Sequence, residues 1–207
     1  MRAKYFIKRR DSLRWILMIF VLTTSFGANS QELVVKTNLL YDATATINLG
    51  VEVGIAPKWT IDLSGNYNPW TLSDNKKVKH WMLQPEVRYW TCQRFNGFFV
   101  GAHIHGGGYN VNSTNWLIDV GKYLSSFPDD KLGNYRNEGW FAGGGIAVGY
   151  HWLIVKRWSM EFSTGFGYTY FDNSKYEQNK CNTLIGTNSK HFWGPTKASI
   201  SVVFTIL

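Results

Sequence analysis

Between Ile47 and Tyr67 the chain alternates apolar and polar residues almost without exception. Ile47, Leu49, Val51, Val53 and Ile55 fall on one face of an extended segment, with Asn48, Gly50, Glu52 and Gly54 on the other. After Pro57-Lys58 the pattern restarts, and Trp59, Ile61, Leu63 and Tyr67 stand against Thr60, Asp62, Ser64 and Asn66. Successive side chains of a strand point to opposite faces, so a period of two predicts a hairpin with one apolar and one polar side.

Six further segments carry the same period, which makes eight predicted strands. The first runs from Val34 to Tyr41, with Val35, Thr37 and Leu39 on the apolar side and Lys36 and Asn38 opposite. His80 to Thr91 sets Trp81, Leu83, Val87 and Tyr89 against Gln84, Glu86 and Arg88. Phe98 to Tyr109 sets Phe98, Val100, Ala102 and Ile104 against Gly101, His103 and His105. Trp140 to Ile154 sets Ala142, Ile146, Val148, Tyr150 and Trp152 against Gly143, Gly145, Gly149 and His151. Trp158 to Phe171 is the most regular, with Met160, Phe162, Phe166, Tyr168 and Tyr170 facing away from Glu161, Ser163, Gly165, Gly167 and Thr169. Lys197 to Leu207 closes the series with Ile200, Val202, Phe204 and Ile206.

The connections sort by length. Pro57-Lys58, residues 92–97 and residues 155–157 are short, whereas residues 68–79, 110–139 and 172–192 are long and polar. This alternation predicts an all-β chain, an eight-stranded antiparallel up-and-down transmembrane β-barrel, with tight turns at one end and long loops at the other. A water-soluble barrel would face its apolar side inward, but these residues are too large and aromatic to fit inside eight strands. Two features strain the pattern. Pro85 falls mid-strand, where its missing N–H calls for a bulge, and Gly106-Gly107-Gly108 is expected to let the fifth strand bend or fray.

The first thirty residues change how the charge is read. Arg2, Lys4, Lys8, Arg9, Arg10 and Arg14 precede an apolar stretch from Trp15 to Phe26, and Ala28-Asn29-Ser30 follows, the plan of a secretory signal peptide. The apolar stretch is shorter than the roughly 20 residues of a membrane-spanning helix. Residues 31–207 then form the barrel domain, with 16 basic against 13 acidic residues in place of the formal +8 of the whole chain. The high isoelectric point is therefore no nucleic-acid signature. Nine of the ten tryptophans lie beyond the leader, and aromatic residues favour membrane–water interfaces. Localisation to the outer membrane of a Gram-negative cell is expected, with both termini periplasmic and membrane lipid around the barrel. The final apolar strand is similar to the signal read by outer-membrane assembly machinery.

Lys36-Thr37-Asn38-Leu39-Leu40-Tyr41, Asn66-Tyr67-Asn68-Pro69-Trp70, Gln84-Pro85-Glu86-Val87-Arg88-Tyr89-Trp90 and Gly194-Pro195-Thr196-Lys197-Ala198 give the chain a further likeness. In these motifs it resembles a Bacteroidetes family of small outer-membrane β-barrel proteins classed as a domain of unknown function. The resemblance implies an outer-membrane barrel, a role in surface-appendage (fimbrial) biogenesis with surface or fimbrial proteins as partners, and no catalytic residues.

The candidate chemistry sits on the polar face: Lys36, Glu52, Asp62, Glu86, Arg88, His103, His105, His151, Glu161 and Lys197. A proton relay, a metal site or a narrow pore would each use such a set. Packing alone also accounts for it, because eight strands leave a lumen just wide enough for side chains and buried charges must pair. Arg88 is accordingly expected to touch Glu52, Asp62, Glu86 or Glu161. His103 and His105 have a chelating spacing, with Glu86 or Glu161 as a further donor, but no third ligand is evident, and neither a metal nor a cofactor is expected. A lipid-modifying hydrolase would draw on His80, Ser113, Asp119, Ser125, Ser126 and His191 at the outer rim. Trp116, Val120, Tyr123, Leu124 and Phe127 follow helical spacing within the longest loop. They predict an amphipathic helix, a self-packed loop or an exposed patch for a partner. Cys92 in a short turn and Cys181 in the last long loop are expected at opposite ends, too far apart for a disulfide. The residues thus favour a non-enzymatic barrel that supports surface loops in the cell envelope.

Overall fold

A computed structural model describes residues 32–70, 77–112, 135–177 and 184–206. The leader expected over residues 1–30 and the helical stripe expected from Trp116 to Phe127 lie outside them. The strands are β1 (Leu33–Asn38), β2 (Ile47–Ala56), β3 (Trp59–Asn68), β4 (Lys77–Trp90), β5 (Gly97–Asn112), β6 (Tyr135–Val155), β7 (Trp158–Glu177) and β8 (Leu184–Thr205). All pair antiparallel with their sequence neighbours, and β1 pairs with β8, closing the barrel.

Closure requires the strands to be staggered, and the register displays it. From Val34, paired positions run through Glu52, Asp62, Glu86, His103, Gly145 and Gly167 to Gly194. Val34's own partner on β8 is Thr205, much farther down that strand. Every residue on this walk faces inward, so the stagger lays a row of charged and small positions obliquely around the lumen.

The facing follows the period of two throughout. Among the described residues, five apolar side chains are buried against nineteen polar or charged ones. The core of this barrel is therefore polar. Ile104 and Ile146 are 66% and 64% exposed, and Leu63, Leu83, Val100, Val148 and Phe166 share their outward band. This is the reverse of a water-soluble barrel. Outward aromatics stand at two levels. Trp59, Tyr89, Tyr150, Trp152 and Trp158 lie at the tight-turn end, and Tyr67, Trp81, Trp140 and Trp193 toward the other. Trp59 packs edge-on against Tyr89 at 5.1 Å, ring centre to ring centre.

Several local expectations are corrected. The first strand ends at Asn38, not Tyr41, because the Asn38 side chain accepts from Leu40 N at 3.1 Å and caps the helix α1 (Leu39–Ala43). Pro85 sits in unbroken register: Leu83 pairs with Gly106 and Glu86 with His103, and only the pairs between them lapse. No bulge is needed, since Pro85 keeps its place opposite Leu63 on β3 and the gap falls on the β5 side. Register shifts occur instead before both two-residue turns, between Gly54 and Ala56 and between Leu153 and Val155, and along the β7–β8 pair at Gly165/Phe166 and Lys175/Tyr176. The glycine run does not fray; Gly106, Gly107 and Gly108 stay paired to both neighbours. At Gly107 a Cβ would run into the Trp81 carbonyl oxygen first and lie 2.8 Å from the Phe141 ring, so glycine there permits the close approach of both.

The strands on one side are also longer than the alternation predicts. Residues 172–177 and 184–192, expected in a loop, continue β7 and β8 as a hairpin. The barrel wall is consequently tall from β5 to β8 and low from β1 to β3. At the low rim α1 is tied down by Asp42, which accepts from Thr37 Oγ1 at 2.9 Å and Asn48 Nδ2 at 2.7 Å. The Trp70 indole donates to Ala45 O at 2.6 Å across the same rim.

Candidate functional site

The inward row brings three carboxylates side by side: Glu52 pairs with Asp62, and Asp62 with Glu86. Like charges directly opposite repel, so this row needs cations between its members. Arg88, two residues along β4 and on the same face, supplies the first. Its Nη1 donates to Glu52 at 2.7 Å and Glu161 at 2.9 Å, its Nη2 to Asp62 at 3.1 Å, and its Nε to Glu86 at 2.7 Å. The guanidinium, whose planar fork offers five donors, thus touches all four carboxylates.

Lys36 approaches from β1, with Nζ 2.7 Å from Glu52, 3.1 Å from Asp62 and 3.6 Å from Glu161. Lys197 on β8 binds Glu86. Three cations and four carboxylates therefore form one buried cluster with contacts from β1, β2, β3, β4, β7 and β8. The cluster staples strands far apart in sequence. Charges this deep are tolerated only when each is paired and hydrogen-bonded. Gly101 makes room for one of them, since a Cβ there would come within 2.6 Å of Glu86 Oε1. A Gly101→Val substitution should therefore cost about 1–3 kcal/mol through overpacking, measured as a lower urea midpoint.

Below the cluster, toward the tight turns, the lumen is filled by rings. Trp90 lies 4.8 Å from Phe99 and 5.8 Å from both Phe95 and His151, centre to centre. Arg88 stacks its guanidinium 4.4 Å above Phe99, joining plug to cluster. The Trp90 indole donates to Thr60 Oγ1 at 2.9 Å, and Thr60 donates in turn to Glu52. Trp90 and Phe99 were not among the residues singled out by composition. Period-two counting past Arg88 places Trp90 inside, but an apolar residue on a polar face carried no chemical signal.

The histidines are dispersed. His151 stands beside Glu161, with Nδ1 3.7 Å from Oε2. His103 Nε2 and His105 Nε2 are hydrogen-bonded to Thr196 and Thr169 at 2.9 Å each. Their rings are 5.7 Å apart, while Glu86 and Glu161, the carboxylates considered for a metal, are engaged by the cluster. Among the described residues no group of three histidines, cysteines or carboxylates is disposed to hold a metal ion. Of the rim residues weighed for hydrolysis, His191 is hydrogen-bonded to the Tyr168 hydroxyl. Ser113, Asp119, Ser125 and Ser126 lie outside the described residues. Cys92 is an exposed free thiol; Cys181 also falls outside them.

No curated protein and no solved structure matches the chain. Residues 16–206 match the model of a family described as a protein of unknown function (DUF3575). With nearly the whole chain covered, and with the fold such a likeness implied now in view, the protein belongs to the DUF3575 family.

Proposed function

We propose that this protein is an integral barrel of a Gram-negative outer membrane, without enzymatic activity, that holds surface loops for cell-envelope architecture or appendage assembly. The observation that carries the reading is the reversal of faces: charges packed inside, large apolar side chains outside. In water that outer surface would be a continuous hydrophobic patch far beyond what soluble monomers expose. In lipid it is the favoured arrangement. The two aromatic levels support the same reading. Eight residues separate Trp59 from Tyr67, and equally Trp81 from Tyr89. At about 3.4 Å per residue and a tilt of about 40° they span about 20 Å, close to the apolar band of membrane barrels.

The filled lumen supports a scaffold over a narrow pore, because Trp90 and Phe99 pack against each other inside it. The tall β6–β8 wall supports a role outside the band: the β7–β8 hairpin continues past Trp140 and Trp193, and Leu184–Ser189 are exposed. Surface or appendage proteins are the partners such a platform suits, and the apolar end of β8 suits recognition by outer-membrane assembly machinery.

The tagged full chain should sediment with outer membranes, resist alkaline carbonate, and migrate faster in gels before heating than after. Release as a soluble protein would contradict the reading. On intact cells a membrane-impermeant maleimide should label Cys181 and spare Cys92, which sits at the tight-turn end; labelling of both, or of Cys92 alone, would overturn the orientation. Deleting the gene should reduce surface appendages under electron microscopy with envelope lipids unaltered. A change in lipid acylation instead would favour the rim hydrolase.

A further inference from the structure

Between the ionic cluster and the low rim lies a cleft of about 40 Å³. Its floor is formed by Asp62, Gln84 and Arg88, and it rises to Asn38, Asn48 and Tyr41. The floor is deeply buried, whereas the three upper residues are half-buried at the edge of the barrel. Tyr41, from α1, roofs the cleft, and desolvation raises its hydroxyl above the usual phenol pKa, so it remains a donor.

One buried polar atom at this floor, Gln84 Nε2, lacks a hydrogen-bonding partner from the protein, while Asp62 Oδ1 beside it faces the Lys36 ammonium at 3.1 Å. Gln84 is only 4% exposed. A buried amide donor left unsatisfied is costly, and such groups are commonly completed by internal water. The volume decides what fits. One water needs roughly 10–15 Å³ of occupied volume, so the cleft has room for a small group of waters. Most of the side chains that line the site are polar, which gives an internal water the partners it requires. The opposite side of the cluster differs: Trp90 and Phe99 are fully buried and pack against each other.

We propose that this cleft is an internal hydration site, in which a small group of ordered waters completes Gln84 and connects the ionic cluster to solvent from the low rim only. The cluster then has one wet and one dry side, and the lumen is hydrated without being a channel. The proposal rests on the lumen alone and does not depend on the membrane assignment.

The test uses the full-length folded protein in detergent micelles. In water-selective nuclear Overhauser spectra, the Gln84 carboxamide protons should show cross-peaks to water, and the Trp90 indole proton should show none. The exposed Gln93 carboxamide serves as the positive reference. Absence of the Gln84 cross-peak while Gln93 gives one would overturn the site, and an equally strong Trp90 cross-peak would overturn the one-sidedness. Gln84→Met gives an independent reading. If water completes the amide, the variant loses that hydrogen bond and its Tm falls. If the cleft is dry, removing an orphaned donor leaves Tm equal or higher, which would contradict the proposal.

Discussion

Replacing Arg88 with methionine should destabilise the barrel by about 3–5 kcal/mol, the range for removing one partner from a buried ionic group. The side chain's volume is largely kept, so the loss is electrostatic. Four carboxylates now share Arg88, and after its removal Lys36 and Lys197 alone would face them. Arg88→Lys should fall between, because a single ammonium cannot reach Glu52, Asp62, Glu86 and Glu161 with the geometry of a planar fork. Refolding yield and urea midpoint in micelles report both variants. Pairing Arg88→Met with Glu161→Gln should recover part of the loss, since one uncompensated charge goes with it. A double variant no better than the single would mean that the cluster is not stabilised by charge pairing.

The second large effect lies on the other face. Ile146, mid-strand on β6 and flanked by outward Ala102 and Phe166, should cost about 2–4 kcal/mol when replaced by arginine in a bilayer. Ile154→Arg, near the tight turn, should cost no more than about 1 kcal/mol, because charge is tolerated near the interface. Folding titrations into lipid vesicles give both values. The depth dependence matters more than either figure. Equal costs at the two sites would indicate a surface that does not cross an apolar slab.

The facing of every strand was legible because one side of each strand is polar and buried and the other apolar and outward, which imposes a period of two. β7 illustrates this, alternating without a break from Ser159 to Tyr170. The signal stops where the band stops. From Asp172 to Glu177 and from Leu184 to Lys190 both faces are polar or exposed, yet the ladder continues through backbone hydrogen bonds, which leave no mark on composition. That is why β7 and β8 extend into segments read as loop. The end of β1 escaped for a local reason: Lys36 to Tyr41 keeps a strand-like rhythm, but the Asn38 side chain redirects the backbone into α1.

The candidate site was legible in its members and not in its connections. Each charged residue of the cluster could be placed inside by counting alternate positions. That Arg88 would contact all four carboxylates depends on the stagger between strands, which no single strand encodes. Lys197 meets Glu86 and Lys36 meets Glu161 only because the barrel closes. The histidines had looked like part of the same set, but the same stagger carries His103 and His105 to Thr196 and Thr169. The aromatic plug was invisible for the opposite reason, since Trp90 reads as one more apolar residue among many.

The central claim is that the polar face lines the inside of a barrel and the apolar face meets lipid. Nitroxide labels placed one at a time from Met160 to Tyr168 on β7, in protein reconstituted into bilayers, test it most directly. Collision with oxygen, which partitions into lipid, should rise at Phe162, Thr164 and Phe166 and fall at Glu161, Ser163 and Gly165, with a period of two. Accessibility to a water-soluble nickel chelate should stay low at Phe162, Thr164 and Phe166. A profile without alternation, or one in which the nickel chelate reaches Phe162, Thr164 and Phe166 freely, would contradict the account.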